Sequence, residues 1–310
     1  MSRVAIVVVT YNSSRHIGEC LDALKGLDSE IVVVDNASED GTRDEVVRRG
    51  IRLIANTVNV GFAAGVNQGV MATSAPLVLL LNPDVVFDHG LEALEAEFND
   101  PQTGVAGGLL TDVAGNPQTG FMARNLPAPT ALIFEVLGIN AVFSANPVNW
   151  HYRCLGISPV TPALVEQPAG AFLMFPRSVW GRVGGFDERF FPVWFEDVDF
   201  CARIKQAGFL GRYNPAAVAK HDGAHSVGTL RLKIRERYWY GSLLEYAAKH
   251  YRPIAFGLVC GAVALGAVLR AVRVFPRYGF NAVVVYGAVC RLALVALYRR
   301  LVWGVSEIVP

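Results

Sequence analysis

The N-terminal third alternates short, nearly unbroken apolar runs with amphipathic segments, and few architectures other than a parallel α/β sheet can absorb that pattern. Residues 3–9 (RVAIVVV) are β-branched and almost uniformly apolar, as expected of a strand buried on both faces. Residues 16–27 place Ile17, Cys20, Leu21, Leu24 and Leu27 at helical spacing. A second strand is predicted at Ile31–Val34, a third near 51–55, a helix near 63–73 and a fourth strand, LVLLL, at 77–81. Strands and helices in this order predict a doubly wound, mainly parallel sheet with helices on both faces. Ligands bind such sheets beyond the carboxyl ends of the strands.

Polar residues gather at those ends: Thr10-Tyr11-Asn12, Asp35-Asn36 and Asn82-Pro83-Asp84. Each also has a local explanation, since Asp35 and Asn36 can form an Asx turn and Ser38 or Asp40 can cap a helix. The segment NVGFAAGVNQG (59–69) is glycine-rich but contains no GxGxxG. Gly61, Gly65 and Gly69 are four apart, which points to close helix packing or backbone approach to a ligand rather than a dinucleotide loop.

Farther along, GGFDERFFPVWFEDVDF (184–200) interleaves Asp187, Glu188, Glu196, Asp197 and Asp199 with Phe186, Phe190, Phe191, Trp194 and Phe195. Carboxylates set among aromatics lose solvation, and their pKa rises toward that of a working general base. A helix starting near Glu196 would also place acids at its favourable N-terminal end. The stretch AVAKHDGAHS adds His221 and His225, which are structural unless Asp84 supplies a metal site beside them.

The formal net charge of +1 excludes a global basic field for nucleic acid. It hides a split: from Lys249 onward there are eight basic residues and one acid, Glu307. That tail is also strongly apolar. Residues 254–269 carry no charge, and residues 278–298 carry only Arg291. The first run is slightly short for a span, and a two-span hairpin would put Arg270, Arg273 and Arg277 on the wrong side for the positive-inside rule. Two helices lying in the membrane interface are expected, with a buried helix pair or a dimer interface as the alternatives. The run RVAIVVVTY is too short for a signal peptide, and five scattered cysteines suit a reduced compartment.

The segments VVVTYNS, VVDNASEDGT, NVGFAAGVNQG, LLLNPDV, GAFLMFPR, GGFDERFFPVWFEDVDFCAR and KHDGAHS, in this order over residues 3 to about 226, resemble the family 2 inverting nucleotide-sugar glycosyltransferases with the GT-A fold. Within that family the chain looks most like the bacterial rhamnosyltransferases acting on polyprenyl carriers. The family's DxD appears here as Asn82-Pro83-Asp84, leaving one carboxylate where two are typical.

The resemblance implies a GT-A catalytic domain over residues 1–229, with a nucleotide-binding half to about 109 and an acceptor-binding half over 110–229. A helical, basic and apolar membrane-associating region follows over 230–310. It assigns Thr10, Tyr11, Asn12 and Asp35 to the nucleotide pocket, Asn59, Gly61, Phe62, Gly65 and Asn67 to the ribose and diphosphate, and Asn82 and Asp84 to the donor. Asp84 and His221 would hold Mg²⁺ or Mn²⁺. Asp197 is the expected general base, with Glu196 as its rival, Asp199 as an orienting residue, and Asp187 and Trp194 meeting the acceptor. The implied partners are a dTDP- or UDP-sugar (dTDP-L-rhamnose favoured), a lipid-linked glycan acceptor and the membrane surface, with a homodimer possible. The implied place is the cytoplasmic face of the bacterial inner membrane. The competing classes are a nucleotidyltransferase, whose glycine-rich phosphate loop is missing from VVVTYNSSRH, and a non-catalytic binding protein.

Overall fold

The computed structural model describes residues 2–223 and 231–303. His225, the boundary at 229/230 and Glu307 lie outside the described residues. The chain divides into two compact units: Met1–Leu126 with Arg153–Glu188 and Glu196–Thr229, and Pro127–Tyr152 with Arg189–Phe195 and Leu230–Pro310.

The first unit opens with β1 (Val4–Thr10), α1 (Ile17–Asp22), β2 (Ser29–Asp35), α2 (Thr42–Arg48), β3 (Arg52–Ala55), α3 (Phe62–Met71) and β4 (Leu77–Leu81). Next come β5 (Val85–His89), α4 (Leu91–Glu97), β6 (Thr103–Thr111) and β7 (Ala123–Arg124). Helices α5 (Pro129–Val136), α6 (Ile139–Val142) and α7 (Pro147–Tyr152) belong to the second unit. The first unit then resumes with β8 (Ala163–Val165), β9 (Gln167–Pro168), β10 (Phe172–Pro176), α8 (Arg177–Val183), α9 (Glu196–Gln206) and β11 (Leu210–His221).

Nine strands form one sheet in the order β3-β2-β1-β4-β10-β6-β11-β5, with β8 on β11. Strands β1 to β4 are mutually parallel, as are β6 and β11, while β10 enters antiparallel between β4 and β6. The doubly wound, mainly parallel α/β architecture is therefore present, with antiparallel insertions in the second half. Every residue of β1 and β4 is buried because both faces are covered. Alternate side chains go to opposite layers: Ile6, Val8, Leu79 and Leu81 meet Leu21, Leu24, Leu91 and Leu94 on one face. Val7, Val9, Val78 and Leu80 meet Val66, Val70, Phe200 and Ile204 on the other. Burying a side chain of this size contributes about 1.5–3 kcal/mol. Helix α1 is shorter than its apolar spacing suggested: it ends at Asp22, and turns carry the buried Leu24 onward to Gly26, whose φ is +86°.

The second unit is helical. After α5–α7 it contains α10 (Leu232–His250), α11 (Pro253–Tyr278) and α12 (Phe280–Trp303). The aromatic run before Glu196 belongs to it, with Phe195 5.6 Å from Tyr246 and 6.4 Å from Trp239 between ring centres. Gly266 lets α11 approach the carbonyl of Val136, where any Cβ would collide. Helices α11 and α12 are each long and apolar enough to cross a bilayer by length and composition. The α11 helix outlasts its uncharged run because it continues through Arg270, Arg273 and Arg277. Not all of these arginines face outward: Arg270 donates to the Glu135 carbonyl (3.1 Å), and Arg300 donates to the carbonyls of Ala248 and Tyr251. Arg273, Arg277 and Arg291 are exposed.

Candidate active site

The chain turns outward at the carboxyl ends of β1, β2 and β4, with β1 between the other two, so their polar termini share one edge of the sheet. Beyond β1, Tyr11 is exposed and Asn12 adopts φ +51°. The Asn12 backbone N–H donates to Ser38 Oγ (2.8 Å), and its side-chain oxygen accepts from the Glu39 N–H (2.8 Å). Thr10 is buried, and its hydroxyl has no hydrogen-bond partner among the described residues. Asp35 is fully buried and accepts from the Ser38 N–H (3.0 Å), the Ser38 hydroxyl and Arg43 Nε (2.6 Å). The Asx-type geometry is therefore present, with Arg43 bound to the same carboxylate. A chain of amides continues from this turn. Asn56 donates to Asn36 (3.0 Å) and Gln68 (2.8 Å), and Asn36 donates to the Gly61 carbonyl (3.0 Å).

The glycine-rich segment starts α3. Asn59 accepts from the Gly61 N–H (2.9 Å), and Gly61, at φ +89°, precedes the half-buried Phe62. Gly65 packs on β1: a Cβ there would lie 2.8 Å from Val9 Cγ1. The Asn67 amide faces the second half of the domain. It donates to the Phe186 carbonyl (2.9 Å) and Glu188 (3.0 Å), and accepts from the Phe186 N–H (2.9 Å) and Trp180 Nε1 (3.2 Å). These bonds use its full capacity, so Asn67 holds the loop carrying Asp187.

Beyond β4, the Asn82 N–H donates to the Ala171 carbonyl (3.0 Å), while its side-chain oxygen is buried without a partner among the described residues. Asp84 lies 3.7 Å from His221 Nε2, and both side chains are largely shielded. Gln118 donates to the His221 carbonyl (2.9 Å), so its oxygen faces Nδ1, also 2.9 Å away. Nδ1 therefore carries the proton, and the Nε2 lone pair points toward the Asp84 carboxylate. Burial holds the His221 pKa below its usual value against the opposing charges of Asp84 and Asp222, and Phe121 stacks on the ring at 4.9 Å. A lone pair facing a carboxylate is favourable when a cation lies between them. With the orphaned Asn82 oxygen on the same turn, the donor set fits a hard divalent ion with open positions. Among the described residues no three His, Cys, Asp or Glu side chains cluster as a complete metal cage.

Helix α9 begins at Glu196, placing three acids in its first turn. They differ in access. Glu196 is 5% exposed and Asp199 0%, and Asp199 is bound to Arg203 at 2.7 Å. Asp197 keeps partial exposure. Its Oδ2 accepts from Gln167 Nε2 (3.0 Å) and the Gly170 N–H (3.1 Å), and its Oδ1 accepts from the Val198 N–H (2.8 Å). Both carboxylate oxygens are thus held by N–H donors from three other residues, which fixes the orientation of the side chain. Desolvation raises the Asp197 pKa, partly offset by these N–H donors and by Arg124. Gly170 is required here, because a Cβ would sit 2.8 Å from Asp197 Oδ2. Asp187 is half-buried beside the exposed Glu188. Trp194, at φ +80°, belongs to the second unit.

Sequence reasoning missed Arg43, Asn56, Gln118, Phe121 and Gln167. None sits in a motif with its partner, and only Gly170, inside GAFLMFPR, carried a signal.

Two family models match the chain: Glycosyl transferase family 2 over residues 5–157 and Glycosyl transferase family group 2 over residues 141–306. The N-acetylglucosaminyl-diphospho-decaprenol L-rhamnosyltransferase of Mycobacterium tuberculosis is 34% identical over 243 residues, covering 72% of this chain and 77% of that protein. The pre-mycofactocin glycosyltransferase of the same organism is 27% identical over 276 residues, covering 87% of this chain and 53% of that protein. Among solved structures, the Pyrobaculum calidifontis mannosyltransferase PcManGT in complex with GDP-Man and Mn²⁺ aligns with TM-score 0.53 and 18% identity over 99% of this chain and 84% of that one. The S. aureus TarS 1–349 complex with UDP-GlcNAc aligns with TM-score 0.51 and 15% identity over 97% and 92%. With polar strand ends along one sheet edge, the buried Asp84–His221 pair and the acids opening α9 in one fold, the chain belongs to glycosyltransferase family 2 and is a glycosyltransferase of the GT-A type.

Proposed function

We propose that this glycosyltransferase moves L-rhamnose from dTDP-L-rhamnose to a hydroxyl of a polyprenyl-linked glycan, with inversion, during bacterial cell-surface polysaccharide synthesis. The observation that carries the chemistry is Asp197: of the three acids opening α9 it alone keeps solvent access, and desolvation raises its pKa. The choice of sugar and acceptor rests on likeness to the decaprenol-linked rhamnosyltransferase.

In this reading the nucleotide lies along the β1–β2 edge, with Tyr11 and Asn12 over a floor fixed by Asp35 and Arg43. Asp84, His221 and Asn82 would hold Mg²⁺ or Mn²⁺, which supplies Lewis-acid stabilisation of the departing diphosphate. Asp197 takes the proton of the acceptor hydroxyl on the face opposite the leaving group, giving a single displacement. Asp187 meets the sugars, and Asn67 keeps the Asp187 loop in place. Purified protein should transfer rhamnose from dTDP-L-rhamnose to a polyprenyl-diphosphate-linked N-acetylglucosamine. The donor should also raise the melting temperature in the presence of Mn²⁺. Saturation at 100 times Kd stabilises by about 2.7 kcal/mol, or roughly 5–10 °C for a domain of this size. Release of pyrophosphate from a nucleoside triphosphate and sugar phosphate, without transfer, would replace this reading with a nucleotidyltransferase.

The reading also places the enzyme on the cytoplasmic face of the inner membrane. The exposed apolar side chains along α11 and α12, with Arg273, Arg277 and Arg291, suit an anionic lipid surface. Full-length protein should float with anionic vesicles. Arg273→Gln with Arg277→Gln should weaken that binding by roughly 30-fold, from about 1 kcal/mol per basic residue. Flotation indifferent to both charge and salt would place the contact elsewhere.

A further inference from the structure

Strands β7 and β9 pair as a separate two-stranded ribbon whose register sets Arg124 opposite Gln167. Gln167 is 4% exposed, and the two ends of its amide differ. Nε2 donates to Asp197 Oδ2 at 3.0 Å, while Oε1 is buried with no hydrogen-bond partner among the described residues. A buried amide oxygen without a partner lowers stability. Methionine has a similar length and no such penalty, so packing alone does not account for an amide at this place. Its donor end does, because it meets the acid of the α9 turn that keeps access to solvent.

The orientation of that amide follows from charge. The Gly170 N–H already donates to Oδ2 at 3.1 Å, so this oxygen is an acceptor. Turning the amide over would set two acceptors, Oε1 and Oδ2, against each other. That arrangement is favourable only when Oδ2 carries a proton. The amide as it stands therefore favours the carboxylate and opposes the desolvation that favours the acid.

Other charges around Asp197 leave this role open. Arg124 attracts it from β7, and the Cys201 thiol lies near it on α9. Glu196 and Asp199 share its turn, and Asp199 is paired with Arg203. Glu166, beside Gln167, is paired with Lys205. Strand β6 (TGVAGGLLT) has no ionisable side chain. On β11, Arg212 is engaged by Asp100, Tyr213 by the Pro159 carbonyl and His221 by Gln118, and Lys220 is exposed. On α8, Arg177 donates to the carbonyls of Val70 and Ala75, and Arg182 lies over Phe209.

We propose that Gln167 is the positioning residue of the general base: its amide keeps the Asp197 carboxylate ionised and in one rotamer, ready to take a proton. This rests on the reading of Asp197 as the base. Gln167 acts through Asp197 and touches no reacting atom.

Gln167→Met keeps the length of the side chain and removes the donor. A hydrogen bond to a charged group, at its usual strength, corresponds to about 1–2 pH units in the pKa of its acceptor. The acid limb of kcat should therefore move up by about 1–2 pH units, with the melting temperature and the KM for the donor sugar close to the parent's. Gln167→Glu should move the limb further, because two carboxylates at hydrogen-bond distance share a proton. In an Asp197→Asn background, Gln167→Met should cost nothing more, since the group it serves is gone. An acid limb at the parent's position, a loss confined to KM, or equal losses in both backgrounds would reduce Gln167 to packing and overturn the proposal. Should Gln167→Met not fold, Gln167→Glu gives the same test of the limb.

Asp197→Asn alone separates the two failures. Parent-like turnover in that variant removes Asp197 as the base, and this proposal with it. If Asp197→Asn loses turnover while Gln167→Met keeps the parent's acid limb, the base stands and the assignment of Gln167 fails alone.

Discussion

Asp197→Asn is expected to slow sugar transfer by about 10²- to 10⁴-fold, the usual cost of losing a general base. Donor affinity should be nearly unchanged, because the nucleotide is assigned to the strand ends around Tyr11 and Asp35. Asn matches the shape and can still accept from Gln167 and Gly170 at one oxygen, so the protein should fold and bind donor by thermal shift. Glu196→Gln is the control: at a position only 5% exposed, it should cost less. The pH profile adds a second check. Desolvation raises the Asp197 pKa, and a base works only when deprotonated. The rate should therefore fall as pH drops through that raised value, at a higher pH than an ordinary aspartate would give, and this acid limb should vanish in Asp197→Asn. If Glu196→Gln abolishes transfer while Asp197→Asn is nearly normal, the two roles are exchanged. Normal turnover by both would reduce the cluster to a structural cap on α9.

Asp84→Ala is expected to abolish the gain in nucleoside diphosphate affinity that Mg²⁺ or Mn²⁺ provides. It should also lower kcat by on the order of 10²- to 10³-fold, comparable to losing one preorganised electrostatic contact to a developing charge. The variant leaves His221 in place, with its tautomer still set by Gln118. Gln118→Ala should therefore weaken the metal response by about 10- to 100-fold through the second shell of hydrogen bonds. Removing the Asp84 carboxylate also relieves the lone-pair contact with His221 Nε2 at 3.7 Å, so the apo protein should not lose stability. Calorimetric titration of the nucleoside diphosphate with and without Mn²⁺ reads the effect directly. Full activity in a chelator, or unchanged Mn²⁺ dependence in Asp84→Ala, would remove Asp84 from that role.

The strands of the first half were legible because both faces of the sheet are covered. RVAIVVV and LVLLL could satisfy two apolar layers only as central strands, and they became β1 and β4. The polar strand ends were legible for the complementary reason: residues such as Asp35 and Asp84 interrupt apolar runs where buried side chains cannot be left without partners. The start of α9 at Glu196 could be read from its acids. The glycine spacing indicated close packing, and Gly65 and Gly69 do lie against Val9 and Val7.

What a linear reading could not supply is partnership across long separations. Gln118 sets the tautomer of His221, 103 positions away. Gln167 and Gly170 organise Asp197, and Asn67, whose motif suggested a ligand contact, holds Phe186 and Glu188, 119 and 121 positions on. The difference among Glu196, Asp197 and Asp199 is also tertiary. Three adjacent acids have the same intrinsic chemistry, and only the packing around α9 buries two and leaves one reachable. The sequence by itself determined the alternating α/β layers, the polar strand ends and the basic apolar tail, because hydrophobic period and charge are properties of each residue and its near neighbours. Which carboxylate keeps access to solvent, which arginines turn inward and where α11 and α12 leave a groove were decided by the tertiary structure, because desolvation and hydrogen-bond pairing depend on side chains that meet only after the chain has folded.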